Sequence, residues 1–477
     1  MSSLPELRVY NTASRRTESF QTAVPGIVRM YVCGPTVYDR SHLGHARTYI
    51  AFDAVKRYLM LRGYHVVHIQ NITDIDDKII KKAQETGKKW EEVAEENIKA
   101  YLEALSKLKI YPTLSPRVTH HIEEIISAIQ KLIELGYAYE SNGSVYFDVS
   151  KYPYYGELSG RRSMESWRQE EETLREKRNP FDFALWKRMK EGEPHWSSPW
   201  GEGRPGWHIE CSVMSSRYLG VPIDIHAGGG DLIFPHHENE RAQSEALFGI
   251  RPWVRYWMHA GMLTIRGEKM SKSLGNMIYI DEVLKRWSPE VIRIWVLSSH
   301  YRSQLEFNEE SLQQHEANQQ RLATAYRELR ASLRDFSQNF RLEDDEIKVI
   351  REIEYLHREF HEAMSDDFNT AAALKSARRA TDIYFSILKR SWNPAIAAQL
   401  FSFLHEANLV FDFVPEEASL AREDERLKQM IELLIAVRRS LRERGLYELS
   451  DRIRSSLGEM GIELQDSGLE TKYIMRK

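Results

Sequence analysis

The chain has 477 residues, 42% of them hydrophobic and 29% charged, with a net charge of -4. At roughly 100 to 200 residues per domain it is too long for one hydrophobic core, so about three units are expected. The composition excludes a disordered chain, no stretch reaches the roughly 18 to 20 apolar residues of a membrane span, and the slight net acidity confines any nucleic-acid contact to local basic patches. Two cysteines, Cys33 and Cys211, exclude a disulfide framework and fit a reducing compartment. The start MSSLPELRVYN has no apolar core behind basic residues, so a cytoplasmic location is expected.

In chain order, the apolar, β-branched run from Gly26 to Cys33 reads as a buried strand stopped by Gly34-Pro35. Tyr49, Phe52, Val55 and Leu59 then recur at helical spacing, with Gly63 closing the pattern. A second strand, Val66 to Gln70, leads into Asn71-Ile72-Thr73-Asp74 and another helix. This β-α-β-α order predicts an α/β fold with a Rossmann-like parallel sheet. The pattern resumes at Ile223-Asp224-Ile225-His226 and Gly228-Gly229-Gly230, so the stretch from about 116 to 200 reads as an insertion. From about 310 the sequence becomes helical in pattern, as in Ile350, Ile353, Leu356 and Phe360, and a helical bundle is expected. Pro415-Glu416-Glu417 marks a linker before a basic helix and a short tail.

His42-Leu43-Gly44-His45 falls at the first strand-to-helix turn, where free backbone N–H groups and the helix dipole favour an anion. Gly44 leaves room for a flat adenine or ribose against the backbone. A satisfied polar pair at a helix start is the plainer reading of HxGH alone. The second motif, Lys269-Met270-Ser271-Lys272-Ser273, places two ammonium groups and two hydroxyls on a glycine-flanked loop that can clamp phosphate. Adenylate formation needs such donors at separated points, matched to the charge that spreads over the transferring phosphate. In this order the two motifs resemble the HIGH and KMSKS motifs of class I aminoacyl-tRNA synthetases, with leucine for isoleucine at position 43.

Cys33 and Cys211 are distant in sequence, but strand ends of such a fold can bring them together around a metal. His236 and Glu240 are four apart, and Pro235 suits a first helical turn, so the pair would share one helix face; His237 with Arg241 is the competing face. Two thiolates, an imidazole and a carboxylate make a zinc set, although the short Cys-x-x-Cys spacing is missing. Two buried apolar thiols and a solvated histidine pair are the alternative.

The stretches CGPTVYDRSHLGHARTY, NITDIDDKII, GRPGWHIECS, FPHHENE and EKMSKSLGN together resemble the cysteinyl-tRNA synthetase family over essentially the whole chain. The resemblance implies activation of L-cysteine by ATP with Mg2+ and transfer to the 3′ end of tRNA(Cys). It implies one Zn2+ on Cys33, Cys211, His236 and Glu240, which also binds the substrate thiolate. It places ATP against Gly34, Thr36, His42, Gly44, His45, Lys269 and Lys272, with His42, His45, Lys269 and Lys272 catalytic. The substrate pocket maps to Thr73, Trp207, His226 and Asp231.

Near the C terminus Arg438, Arg439, Arg442, Arg444, Arg452 and Arg454 form a local basic bias. A solvated helix face is the plain account; by resemblance Arg442, Tyr447, Asp451 and Asp466 read the anticodon. Tyr447 and Tyr473 stand where the family often has tryptophan, and tyrosine can still stack on a base.

The implied domains are two halves of a catalytic domain, 1–115 and 201–260, around a connective insertion, 116–200. A KMSKS loop and stem-contact region, 261–315, a helical bundle, 316–415, and an anticodon-binding domain, 416–477, follow. A monomer without membrane contact is expected. Two other readings stay open: a related ligase that joins cysteine to an amino sugar, and a non-catalytic RNA-binding module that keeps zinc for its fold.

Overall fold

The structure is a computed structural model that describes residues 4–161, 163, 176–270, 275–333, 342–415, 431–442, 446–459, 462–467 and 470–475. Lys272 and Arg444 lie outside the described residues. The chain divides into two compact units, Met1–Val414 and Pro415–Lys477.

The first unit opens with a hairpin of β1 (Arg8–Asn11) and β2 (Arg16–Ser19). The sheet that carries the site is built from β3 (Ile27–Val32), β4 (His65–Gln70) and two strands far along the chain. Between β3 and β4 runs α1 (Leu43–Leu61), whose buried face includes Tyr49, Phe52, Val55 and Leu59. Next come α2 (Asp77–Thr86) and α3 (Trp90–Lys107).

The insertion is a domain-like layer with its own core. Its helix α4 (Ile122–Glu134) accompanies an antiparallel sheet of β5 (Ala138–Ser141), β6 (Ser144–Phe147), β7 (Phe183–Arg188) and β8 (Gly203–Pro205), in the order β5-β6-β7-β8. Ile125, Ile129, Phe147, Phe183 and Trp186 are buried together in it. Asn142 and Gly143 both take positive φ, 52° and 80°, in the two-residue turn that matches the twist of a hairpin.

Beyond it, α5 (Trp207–Leu219) leads to β9 (Ile223–Gly229), α6 (Glu238–Phe248) and β10 (Val254–Ala260). The central sheet has the order β10-β9-β3-β4 and every pair in it is parallel. The sheet is buried, with α1 and α5 both packed on its strands. From β3 the chain winds outward to β4, and from β9 it winds the other way to β10. The crevice at the carboxyl ends of β3 and β9 is therefore the topological switch point, where open α/β sheets bind ligands.

A small sheet of β11 (Leu263–Ile265), β12 (Glu268–Lys269) and β13 (Leu305–Phe307) follows, with α7 (Ile280–Val283) and α8 (Pro289–Leu297) between its last two strands. Then come four long helices, α9 (Glu309–Ser332), α10 (Asp344–Ser365), α11 (Thr370–Ile383) and α12 (Pro394–Phe411). Ile353, Leu356 and Phe360 are buried in α10, while Ile350 is half-buried at the edge. These helices share one continuous core with α1 and the central sheet, and α12 packs directly on α1.

The second unit holds a helix over 431–442 (α13), α14 (Tyr447–Glu459), and the antiparallel pair β14 (Ile462–Ser467) and β15 (Glu470–Met475). Ile431, Leu457, Ile462 and Leu464 form its core. No helix among the described residues is long and apolar enough to cross a membrane.

Candidate active site

Cys33 follows β3 directly, and its N–H donates to the Ala227 carbonyl at 2.9 Å, which carries the thiol across to the end of β9. His226 lies on β9 opposite Tyr31. Cys211 is on the first turns of α5 and Glu240 on the first turn of α6. All four are buried, at 5% exposure or less.

His236 and Glu240 lie on one face of the turn that leads into α6, and the backbone departs from helical geometry only before them. Phe234 is non-helical (φ -138°, ψ 131°), residues Ile233–His237 form a wide turn, and α6 begins only at Glu238. His236 reaches Glu240, with Nε2 2.8 Å from Oε1. His237, expected on a competing face, also points inward, its Nε2 3.2 Å from Cys33 Sγ. Arg241, the expected companion of His237, pairs instead with Glu245 and Glu157.

Donor atoms of Cys33, His236, His237 and Glu240 lie within 4.8 Å of one another. Cys211 is buried close by, with Cys33, His236 and Tyr31 as its electrostatic neighbours, and is the second thiol of the pocket. His226 Nε2 stands 3.5 Å from Cys33 Sγ and 3.2 Å from Glu240 Oε2. The outer ring nitrogens are held as well: His236 Nδ1 is 3.0 Å from His208 Nδ1, and His237 Nδ1 is 2.7 Å from His259 Nε2, whose Nδ1 meets Thr12 Oγ1 at 2.8 Å. Such outer contacts fix ring orientation and tautomer, as around metal-ligating histidines.

The electrostatics of the cluster call for a cation. Burial pushes the Glu240 carboxyl up to about 8, and burial together with Cys211 and Glu240 pushes the Cys33 thiol up. Cys211, hydrogen-bonded by Cys33 and beside His236, is held well below the usual thiol range. Burial opposes charge on His236, yet Glu240 and Cys211 outweigh it and raise it to about 10. Glu240 Oε2 is buried without a hydrogen bond. Two thiols, a carboxylate and imidazoles in a water-free pocket are stable only if paired, protonated or bound to metal, and S, N and O donors of this kind suit Zn2+. The residues fit such an ion.

The neighbours of this cluster include three residues read as the substrate pocket. Trp207 stacks on His236 at a centroid distance of 4.1 Å. Thr73 Oγ1 donates to Glu210 Oε2 at 3.2 Å and accepts from Asn71 Nδ2 at 3.2 Å. His226 touches the cluster itself, whereas Asp231 is exposed in the turn Gly230–Leu232, its carboxylate folded over Gly229. Glu210, His208 and His259 are parts of the site that sequence reasoning missed, and His237 entered it only as a competing face. The His-His doublet and the position of Glu210 beside Cys211 were the available signals.

On the nucleotide side, His42 caps α1. Its Nδ1 accepts from His45 N–H at 3.4 Å, and His45 Nδ1 accepts from His42 N–H at 3.3 Å. The rings stack at 3.7 Å. A neutral imidazole that accepts at Nδ1 carries its proton on Nε2, so both rings present N–H donors. Burial, then His42, keeps His45 well below the usual histidine value and hence neutral. The polar pair at a helix start and the anion-facing donors are therefore one arrangement. A Cβ on Gly44 would lie 3.0 Å from His42 Nδ1 and 3.3 Å from Met270 Cε, which brings the second motif against the first. The Ile278 carbonyl accepts from Leu43 N–H at 2.8 Å and clasps the same turn. Lys269 is the last residue of β12, opposite Thr264. A Cβ on Gly34 would lie 1.7 Å from the Asn71 carbonyl oxygen, so only glycine fits there, and Thr36 pairs with Thr73 alongside.

In the second unit Arg442, Tyr447 and Asp451 are exposed, Tyr447 at 60%, and Asp466 lies on β14 opposite Thr471. The expected basic face is not uniform. Arg438 is 2% exposed, and Arg454 donates to the Leu464 carbonyl at 3.4 Å.

A doubly wound parallel sheet whose switch point holds a helix-capping histidine pair, closed by the strand that carries Lys269, defines a class I aminoacyl-tRNA synthetase. The family model described as tRNA synthetases class I (C) catalytic domain matches residues 19–317. Solved structures of like fold include the Mycobacterium tuberculosis methionyl-tRNA synthetase in complex with methionyl-adenylate. That likeness has TM-score 0.60, 17% identity, and covers 80% of this chain and 89% of that one. A leucyl enzyme from Agrobacterium radiobacter, in a ternary complex with tRNA, gives TM-score 0.64 at 11% identity, over 83% and 85%. Among relatives named cysteine–tRNA ligase, that of Staphylothermus marinus is 51% identical over 99% of both chains. That of Aeropyrum pernix is 52% identical over 98% of this chain and 100% of its own. The chain belongs to the cysteine–tRNA ligase family.

Proposed function

We propose that the chain activates L-cysteine with ATP and transfers it to the 3′ end of tRNA(Cys), and that Cys33, Cys211, His236 and Glu240 hold one Zn2+ that selects the amino acid. The observation that carries the selectivity is the fully buried set of sulfur, nitrogen and oxygen donors at the switch point. Bound there, zinc supplies a soft Lewis acid that accepts a thiolate and takes a serine hydroxyl poorly.

The protein's own groups orient the rest. Trp207, against His236, walls the amino-acid pocket, with Thr73 and His226 beside it and Asp231 available to the ammonium group. The substrate carboxylate attacks the α-phosphorus of ATP, delivered with Mg2+, and pyrophosphate leaves. The Nε2–H groups of His42 and His45, with the ammonium groups of Lys269 and Lys272, meet the charge that spreads over the phosphates. Gly34, Thr36 and Gly44 leave backbone space for the nucleotide. In the second step the ribose hydroxyl of the tRNA attacks the aminoacyl carbonyl and AMP leaves; positioning serves here without a dedicated protein base. Arg442, Tyr447, Asp451 and Asp466 contact the anticodon, the exposed ring of Tyr447 offering a stacking surface. The enzyme works in the cytoplasm as a monomer.

Cysteine-dependent ATP–pyrophosphate exchange, with serine as competitor, tests the reading before and after zinc removal. Removal should abolish cysteine activation or reduce discrimination to the 10- to 200-fold range of an apolar pocket. Unchanged exchange with unchanged discrimination would end it.

A further inference from the structure

We propose that His357, His361 and Glu406 form a second metal site, remote from the catalytic cluster, that takes a borderline divalent ion of the Zn2+ class and fastens the helical region to α1. His357 and His361 are four apart on α10 and so project from one face, and Glu406 faces them from α12. Each Nε2 lies 3.1 Å from Glu406 Oε2, and the two Nε2 atoms are 3.2 Å apart. A tetrahedron built on bonds of roughly 2.0 to 2.1 Å has edges of about 3.3 to 3.4 Å. Three donor atoms thus already stand within a few tenths of an ångström of three corners of such a tetrahedron. The same three residues are one of only two metal-capable groups among the described residues.

The outer contacts of His361 are of the kind that ligating histidines have. Tyr58 Oη donates to the His361 carbonyl at 3.2 Å and lies 3.4 Å from His361 Nδ1. The Tyr58 hydroxyl thus faces both the carbonyl and Nδ1 of His361 and is an outer partner for that ring. Ser365 Oγ, 2.9 Å from Tyr58 Oη and itself receiving a hydrogen bond from Arg62 at 2.7 Å, holds the phenol in place. An outer partner on the far ring nitrogen is what ligating histidines characteristically have.

The surroundings fit a site that loads from solvent. The rings of Phe403 and Phe360 lie 5.1 Å from His357 and 5.2 Å from His361 and wall the cluster on the protein side. The side chains of His357 and Glu406 are 26% and 29% exposed, so water can enter and complete the coordination. With two nitrogens, one oxygen and no thiol, the set is harder than the catalytic one and holds its ion less tightly. Tyr58 lies on α1, the helix that His42 caps, so an ion on His361 would brace α1 against α10 and α12.

Zinc bound per full-length chain, counted after equilibrium dialysis against micromolar Zn2+, tests the proposal in wild type, His357→Gln and Glu406→Gln. Two equivalents in wild type and one in each variant are expected, with cysteine-dependent pyrophosphate exchange within about twofold of wild type. That retained exchange shows the variants are folded. Added Zn2+ should also raise the melting temperature of wild type more than that of either variant, since an ion that binds only the native state stabilises it by mass action. One equivalent in wild type, or a second that persists in both variants, overturns the proposal and leaves an imidazolium–carboxylate cluster.

Discussion

The two histidine–glutamate clusters of the larger unit differ in every respect that governs a metal. The one at the switch point draws donors from a strand end, a turn and α6, holds the Cys33 thiol with Cys211 beside it, and is fully buried. The one between α10 and α12 has two imidazoles and one carboxylate, all from two helices, and is partly open. The difference teaches that softness and burial, rather than the number of histidines, make a site able to test a substrate's sulfur. The open N,N,O set can brace helices, but it has no means of telling a thiol from a hydroxyl.

The comparison breaks most sharply at Cys211. Cys211→Ser should lose the buried metal and lower cysteine-dependent pyrophosphate exchange by at least about 100-fold, since a ligand outweighs the outer contacts that already cost 10- to 100-fold. Metal content and exchange rate should fall together. The imidazoles sharpen it next. His236→Asn should release metal more readily in a chelator titration than His237→Asn, whose exchange should drop by only about 10- to 100-fold, as expected of an orienting group. A reversed order would move the ligand assignment to His237, which the 3.2 Å contact with Cys33 makes a concrete rival.

Gly44→Ala leaves both metal sites untouched and crowds the His42 ring by a few tenths of an ångström. About a tenfold loss in exchange is expected, because misplacement of 1 Å costs about 100-fold. The smallest effect lies outside both clusters, at Asp77. Burial alone would raise that carboxyl, but Lys187 and Arg204 outweigh it and hold it below the ordinary range. A depressed carboxylate stabilises the fold above its unfolded value near 3.9 and loses that contribution as pH falls through its lower folded value. The side chain is 50% exposed, so Asp77→Asn should cost no more than about 1 kcal/mol at neutral pH and nothing at the lowest pH at which the protein stays folded, read from denaturant midpoints.

Legibility in the sequence followed the strength of local signals. The strand Ile27–Val32, helix α1 and strand His65–Gln70 were readable because apolar period and turn residues agree, and the parallel α/β class followed from their order. The antiparallel sheet of the insertion was not, since its strands are three to six residues long and two of them are separated by 35 residues, although Asn142-Gly143 was a hairpin signal left unused. In the site, i, i+4 counting matches the contact of His236 with Glu240 but gives no sign that the neighbouring His237 also turns inward onto Cys33. Arg438 reads as part of a basic face but is buried, because composition says nothing of which side of a helix meets its neighbours.

The central claim, that the buried donor set recognises the substrate's sulfur, is tested most directly by replacing the native ion with Co2+ and following the sulfur-to-metal charge-transfer absorption. Cysteine should increase that band, serine should leave it unchanged, and Cys211→Ser should abolish the response. Equal spectra with cysteine and serine would contradict the account.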